Sequence, residues 1–449
     1  MNTDLQEIAL TYTLLPQDSA NGEYLFSTAD PKNTSLREQL EFVLGAPVQF
    51  EYMPLNEVVE AIQSRYGELP GKSKLAELIP DGIDEYGGIS EQIFALINGA
   101  LEYRASDIHL ESREDGLEIR LRIDGILERG PTIHKDKQSA FLSHLKVLAN
   151  LDVAEKRRPQ DGKIRFQTQQ QNMIDIRVST IPTVYGEKMV LRLLNRQDIK
   201  LQLNELGMTP EQQTQFEEVL HAHQGIIVVT GPTGSGKTTT LYSALNYINS
   251  PQINILTVED PIEYELEGLN QTQVHPSIGY TFAQALRAFL RQDPDVIFVG
   301  EIRDTETARI AIRASLTGHL VFSTLHTNNA LDTITRLLDM SIEPYLLASS
   351  LKMVIAQRLV RKICQECNGE PLKQKLCQNC FGTGFVGRIG VFELLPITEN
   401  VKSAIHQQVN NSKLKQIAGK EEILTLSEAG SRLVENQVTT DQELYRVLS

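Results

Sequence analysis

Gly231-Pro232-Thr233-Gly234-Ser235-Gly236-Lys237-Thr238 fits the pattern G-x-x-x-x-G-K-[ST], whose chemistry is the binding of nucleotide phosphates. Glycines let successive backbone N–H groups curl inward around phosphate oxygens, and the open N-terminus of a following helix adds positive potential. The cradle expected for the nucleotide phosphates is therefore 231–239, ending in Thr239. Lys237 is expected on the β and γ phosphates and Thr238 on Mg2+. Hydrolysis needs one carboxylate for the water shell of the Mg2+ and another to orient the attacking water. Two acidic sets are available: Glu259, Asp260 and Glu263 in TVEDPIEY, and Glu301 in DPDVIFVGEIRD. His319 and His326 flank LVFSTL, and beside a nucleotide site the second could sense the γ-phosphate by donating a hydrogen bond.

A separate chemistry lies downstream. The four cysteines, Cys364, Cys367, Cys377 and Cys380, form two C-x-x-C knuckles with nine residues between them. Each knuckle puts two sulfurs on one turn, and four thiolates suit a closed, tetrahedral, structural Zn2+. Confined to one segment, they cannot staple a secreted scaffold together, so metal in a reducing compartment is the better reading.

These residues need elements to hold them. The phosphate loop follows the apolar run IIVVT and opens the helical stretch TTTLYSALNYIN. GIIVVTG, INILTVED, DVIFVGE and HLVFSTLH alternate with helical segments, which predicts parallel strands covered on both faces in a doubly wound α/β domain. In such a sheet the strand ends that carry the acidic sets share an edge with the phosphate loop. This domain is placed at 198–449, with the cysteine element at 364–380 and a polar helical tail beyond Pro396. Thr209 is the expected N-cap of TPEQQTQFEEVLHAH. Upstream, ISEQIFALINGALEYRA reads as a helix, LEIRLRIDGILERG as a hairpin turning at Asp-Gly, and two further alternating stretches extend an antiparallel sheet. Residues 89–197 are therefore an expected α+β domain. Residues 67–88, rich in Gly, Pro and charge, form the expected linker. Residues 1–66 look like a small α/β domain ending in the amphipathic helix LNEVVEAIQSRYGEL.

Composition bounds the rest. The 449 residues suggest about three domains. Forty-three basic against 58 acidic residues leave a formal charge of −15, which repels polyphosphate and disfavours a nucleic-acid translocase, the rival of another class. No apolar run reaches membrane-span length and the N-terminus has no secretory leader pattern, so a cytoplasmic protein is expected.

ASDIHLE, GPTGSGKTTTLY, TVEDPIEY, DPDVIFVGEIRDTETA, TGHLVFSTLHTNNA and GRIGVFELL, in this order from about residue 90 onward, resemble the type II secretion and type IV pilus assembly ATPases. The resemblance implies a RecA-like motor domain preceded by a PAS-like α+β domain, assembled as a homo-hexamer that hydrolyses ATP between the two. It implies that Glu263 is the catalytic glutamate, Glu301 the Walker B glutamate near Mg2+ and His326 the histidine-box residue. Arg165 and Arg177 match arginines that reach the phosphates from a neighbouring domain or subunit. A tetracysteine element, here with a spacer shorter than usual, resembles the assembly and secretion branches and is absent from retraction motors. Residues 1–66 resemble the domain that docks on the cytoplasmic part of an inner-membrane platform protein, which would make membrane association indirect and favours secretion over pilus or DNA-uptake assembly. No direct nucleic-acid partner is implied.

Overall fold

The computed structural model describes scattered residues between 5 and 62 and residues 88–194, 202–369, 377–409, 411–419 and 423–449. The expected linker, except Gly88, most of the amphipathic helix before it, and the spacer 370–376 lie outside the described residues. The chain divides into two compact units, one Met1–Leu193, the other Leu194–Pro371 with Cys377–Ser449.

In the first unit, β1 (Leu15–Pro16), β2 (Tyr24–Thr28) and β3 (Val48–Tyr52) form a three-stranded sheet in which β2 and β3 run parallel. Phe26, Leu40 and Val48 are buried in its core. Helix α1 (Ile89–Glu102) then leads into β4 (Ala105–Ser112), β5 (Gly116–Ile123) and β6 (Ile126–His134). Helix α2 (Lys135–Leu148) is followed by β7 (Gln160–Gln167), β8 (Met173–Thr183) and β9 (Gly186–Leu194). The six strands take the order β6-β5-β4-β9-β8-β7. The β5–β6 hairpin turns at Asp124–Gly125, both at positive φ (48° and 88°), the requirement of a type I′ turn that Asp-Gly meets cheaply. Alternation explains the layering: Ile108, Leu110, Ile119, Leu121, Ile176 and Leu191 are buried with Leu96, Ile97, Phe141 and Leu145 of the two helices, while Asp107, Glu118, Arg122 and Arg192 fall on alternate strand positions.

The second unit begins with α3 (Pro210–Leu220), capped by Thr209, whose Oγ1 accepts from Gln212 N at 3.2 Å while the Gln212 side chain returns a bond to Thr209 N. There follow β10 (Gly225–Thr230), α4 (Lys237–Ile248), β11 (Ile255–Glu259), β12 (Asn270–Gln273), α5 (Phe282–Phe289), β13 (Val296–Val299), α6 (Thr305–Leu316), β14 (Leu320–Leu325), α7 (Ala330–Asp339), α8 (Pro344–Ser350), β15 (Leu351–Ile363) and β16 (Phe385–Pro396). Helices α9 (Glu399–His406), α10 (Asn411–Gly419), α11 (Leu426–Glu435) and α12 (Asp441–Leu448) close the chain. The sheet order is β12-β11-β13-β14-β10-β15-β16, parallel except for the β15–β16 pair. Both faces are covered, which is why these strands read as unbroken apolar runs: Ile226 and Val228 pack in one core, Ile227 and Val229 in the other. Among the described residues, no helix is long and apolar enough to cross a membrane.

Candidate active site and metal centre

The register Thr230↔Leu325 and Val299↔Ser323 sets the carboxyl ends of β10, β14 and β13 at one edge. Gly231, His326 and Glu301 are the residues that emerge there. Loop glycines Gly231, Gly234 and Gly236 have φ of 150°, 79° and 86°. A Cβ on Gly231 would lie 2.5 Å from Gln357 O, so the residue cannot be replaced without moving the loop. Pro232, Thr233 and Gly234 are exposed, and Thr238 and Thr239 are half-buried in the first turn of α4.

Lys237 folds over its own loop, donating to Gly231 O and Pro232 O at 2.9 Å each. Burial, reinforced by Arg358 and opposed by Glu301, brings its ammonium down to about 8. Ser235 Oγ is buried with no hydrogen-bond partner. An orphaned hydroxyl inside a glycine-rich cradle at a helix N-terminus is the signature of a site completed by a ligand, and it fits phosphate.

Glu301 is held by Arg303 at 2.6 Å, and His326 Nε2 lies 3.8 Å from its other carboxylate oxygen. His326 also hydrogen-bonds the backbone of Gly231. Its pKa is lowered by burial first and by the charge of Lys237 second, so the imidazole is neutral at pH 7. The neighbouring Thr327 fixes this arrangement: its N–H donates to Thr230 Oγ1 at 2.9 Å, tying the exit of β14 to the end of β10. Glu301, His326 and Lys237 are thus brought together around one loop.

The other sequence-selected residues have settings of their own. Glu259 is buried and takes donors from Thr257, Gln271 and Tyr242. Glu263 is half-buried on the loop between β11 and β12. His319 precedes β14 and bonds Ala314 O at 2.9 Å, a structural role at the opposite strand end from His326. Arg165 is exposed on β7, 3.8 Å from Asp175, and Arg177 is half-buried on the neighbouring β8 opposite Lys163.

Two residues behind the loop escaped sequence reading. Gln357 on β15 accepts from Thr240 Oγ1 at 2.7 Å across a separation of 117 residues, and Arg358 donates to Gln357 O and Asn328 O. LKMVIAQRLVRKI carries no motif; the polar pair inside an apolar strand is its one local sign. Arg303 lies within the quoted GEIRD word, yet only the fold reveals its bond to Glu301.

The four sulfurs lie within 4.8 Å of one another, with Cys364–Cys377 at 3.7 Å and Cys367–Cys380 at 3.5 Å. Thiolates about 2.3 Å from a tetrahedral Zn2+ stand about 3.8 Å apart, so the donor set fits that ion. Both knuckles end alike: Cys367 is followed by Asn368 and Gly369 at φ 51° and 77°, Cys380 by Phe381 and Gly382 at 53° and 85°.

Comparison with known proteins decides the family. The family described as "Type II/IV secretion system protein" matches residues 83–446. The chain belongs to that family. Type II secretion system protein E of Dickeya dadantii (strain 3937) is 48% identical over 398 residues, covering 83% of this chain and 79% of that protein. The protein transport protein HofB homolog of Haemophilus influenzae is 40% identical over 454 residues, covering 100% of this chain and 93% of its own. Among solved structures, the pilus retraction motor PilT with bound ADP superposes with a TM-score of 0.56 at 30% identity, over 79% of this chain and 96% of that one. The Yersinia pseudotuberculosis ATPase DotB shares the fold, with a TM-score of 0.63 at 23% identity over 80% of this chain and 94% of that one. This member of the secretion family is an ATPase.

Proposed function

We propose that this secretion ATPase powers pseudopilus assembly for type II protein secretion, as a homo-hexameric ring at the cytoplasmic face of the inner membrane. The observation that carries the reading is the convergence of Lys237, Glu301 and His326 on a phosphate loop whose buried Ser235 hydroxyl lacks a partner. ATP enters that cradle. Lys237 exchanges the carbonyls of Gly231 and Pro232 for β and γ phosphate oxygens, whose charge restores a fully protonated ammonium. Thr238 and, through water, Glu301 would hold Mg2+, which when bound neutralises charge on the phosphates. Glu263 orients the attacking water, and neutral His326 donates an N–H toward the γ-phosphate. Arg165 and Arg177 meet the phosphates from a neighbouring domain or subunit and lose them after hydrolysis, so chemistry becomes a change at an interface between rigid bodies. Four cysteines would hold a structural Zn2+.

Residues 1–66 dock on an inner-membrane platform protein, which supplies the attachment to the membrane; nucleic acid is no partner. The test is a tagged pull-down from the native host, with and without residues 1–66, read by mass spectrometry. Capture of a secretion platform protein dependent on that segment is expected. A second reading is pilus assembly, which capture of a pilus platform protein would establish instead.

A further inference from the structure

Glu259 closes β11 with 3% of its surface exposed and both carboxylate oxygens engaged. Oε1 accepts from Thr257 Oγ1 at 2.7 Å and from Gln271 Nε2 at 3.1 Å; Oε2 accepts from the Tyr242 hydroxyl. So enclosed, it is unavailable to a water molecule. Stability alone does not call for it, because a well-packed apolar side chain at a buried position costs less than a buried carboxylate.

What the partners touch is informative. Tyr242 stands five positions beyond Lys237 on α4, and its ring meets the edges of Tyr264 at 4.5 Å and Phe298 at 6.0 Å. Gln271 also donates to Tyr264 O at 3.1 Å and accepts from Leu266 N at 2.6 Å. Gln273, two residues along β12, accepts from Ile262 N at 3.3 Å. Backbone groups on both sides of Glu263 are therefore pinned, and the pins lead back through Gln271 and Glu259 to the helix that opens at the phosphate loop.

We propose that Glu259 is a positioning residue that locks the Glu263 loop to the phosphate-loop helix through Tyr242 and Gln271. This rests on the reading of Glu263 as the group that orients the attacking water. The link keeps Glu263 at a constant distance from phosphates held by Lys237, because both then ride on one rigid assembly. Misplacement of such a group by an ångström is enough to cost orders of magnitude in rate.

A double-mutant cycle on the full-length chain tests this. Tyr242→Phe keeps the ring contacts and removes one hydroxyl. Steady-state phosphate release should show kcat lowered roughly 10- to 100-fold with KM for ATP within about twofold of wild type. In a Glu263→Gln background, single-turnover hydrolysis should change less than about twofold on adding Tyr242→Phe, since the water is already unheld. Wild-type kcat in Tyr242→Phe, or an equal proportional loss in both backgrounds, would overturn the link. Wild-type turnover in Glu263→Gln would overturn the reading of Glu263 itself. Should Tyr242→Phe fail to fold, Gln271→Met on the edge strand β12 carries the same cycle with the same expected and opposing results.

Discussion

Among the side chains of the phosphate loop, Lys237 combines burial, a lowered pKa of about 8 and bonds only to loop carbonyls that a nucleotide would replace. On the proposed reading its charge faces the γ-phosphate, so Lys237→Ala should lose turnover by about 100-fold or more and weaken ATP binding. Glu263→Gln should separate the two effects: binding of a fluorescent ATP analogue stays near wild type while phosphate release slows far more. Loss of binding in Glu263→Gln would give that residue a structural role. Glu259, only four positions earlier and of the same chemistry, is expected to behave differently because it is buried and both its oxygens already accept bonds inside the protein.

Three elements concentrate the energetics. The turn at Gly231 admits no side chain, because its φ is 150° and Gln357 O lies 2.5 Å from the position of a Cβ. Gly231→Ala should therefore abolish nucleotide binding and lower the melting temperature, whereas Gly234→Ala meets no atom within 4 Å and should suffer only the strain of its φ of 79°. Helix α12 is tied to β15 by Glu443, bonded to Arg361 at 2.9 Å and to Arg446 at 2.6 Å. Burial alone would push this carboxyl up, but hydrogen bonds from Arg446 and Arg361 outweigh it and hold the group at about 2. A depressed folded-state pKa stabilises above the unfolded value and is lost as pH falls toward the folded one. Up to about 3 kcal/mol should disappear between about pH 5 and pH 2, and thermal melts should show Glu443→Gln converging with wild type across that window. The cysteine knuckles should return about one Zn per chain in metal analysis, with Cys377→Ser reducing that content; a fully folded, metal-free protein would contradict the site.

At the scale of the whole molecule, charge is the dominant quantity. A formal −15 disfavours polynucleotide, so single- or double-stranded DNA should leave the ATPase rate unchanged at physiological salt; stimulation would revive the translocase reading. The seven-stranded sheet is the frame of the ATPase fold. Strands β10, β14 and β13 lie side by side although β14 is last of the three in sequence, and this adjacency is what gathers Lys237, His326 and Glu301.

Much of this was legible in the sequence, for a shared reason: the phosphate loop, the Asp-Gly hairpin, the Thr209 cap, the C-x-x-C pairs and the apolar strands of a doubly covered sheet are each specified within a dozen or so residues. Glycine torsions, capping geometry and strand period are local physics. Only the tertiary structure decided which of two similar glutamates is enclosed, that Arg303 and His326 bracket Glu301, and that Gln357 and Arg358 back the phosphate loop. Apart from Arg303 with Glu301, those are meetings between separate elements, in some cases more than a hundred residues apart in sequence, and they depend on strand order and register. Strand order follows from how whole elements pack, and no short stretch of sequence encodes it.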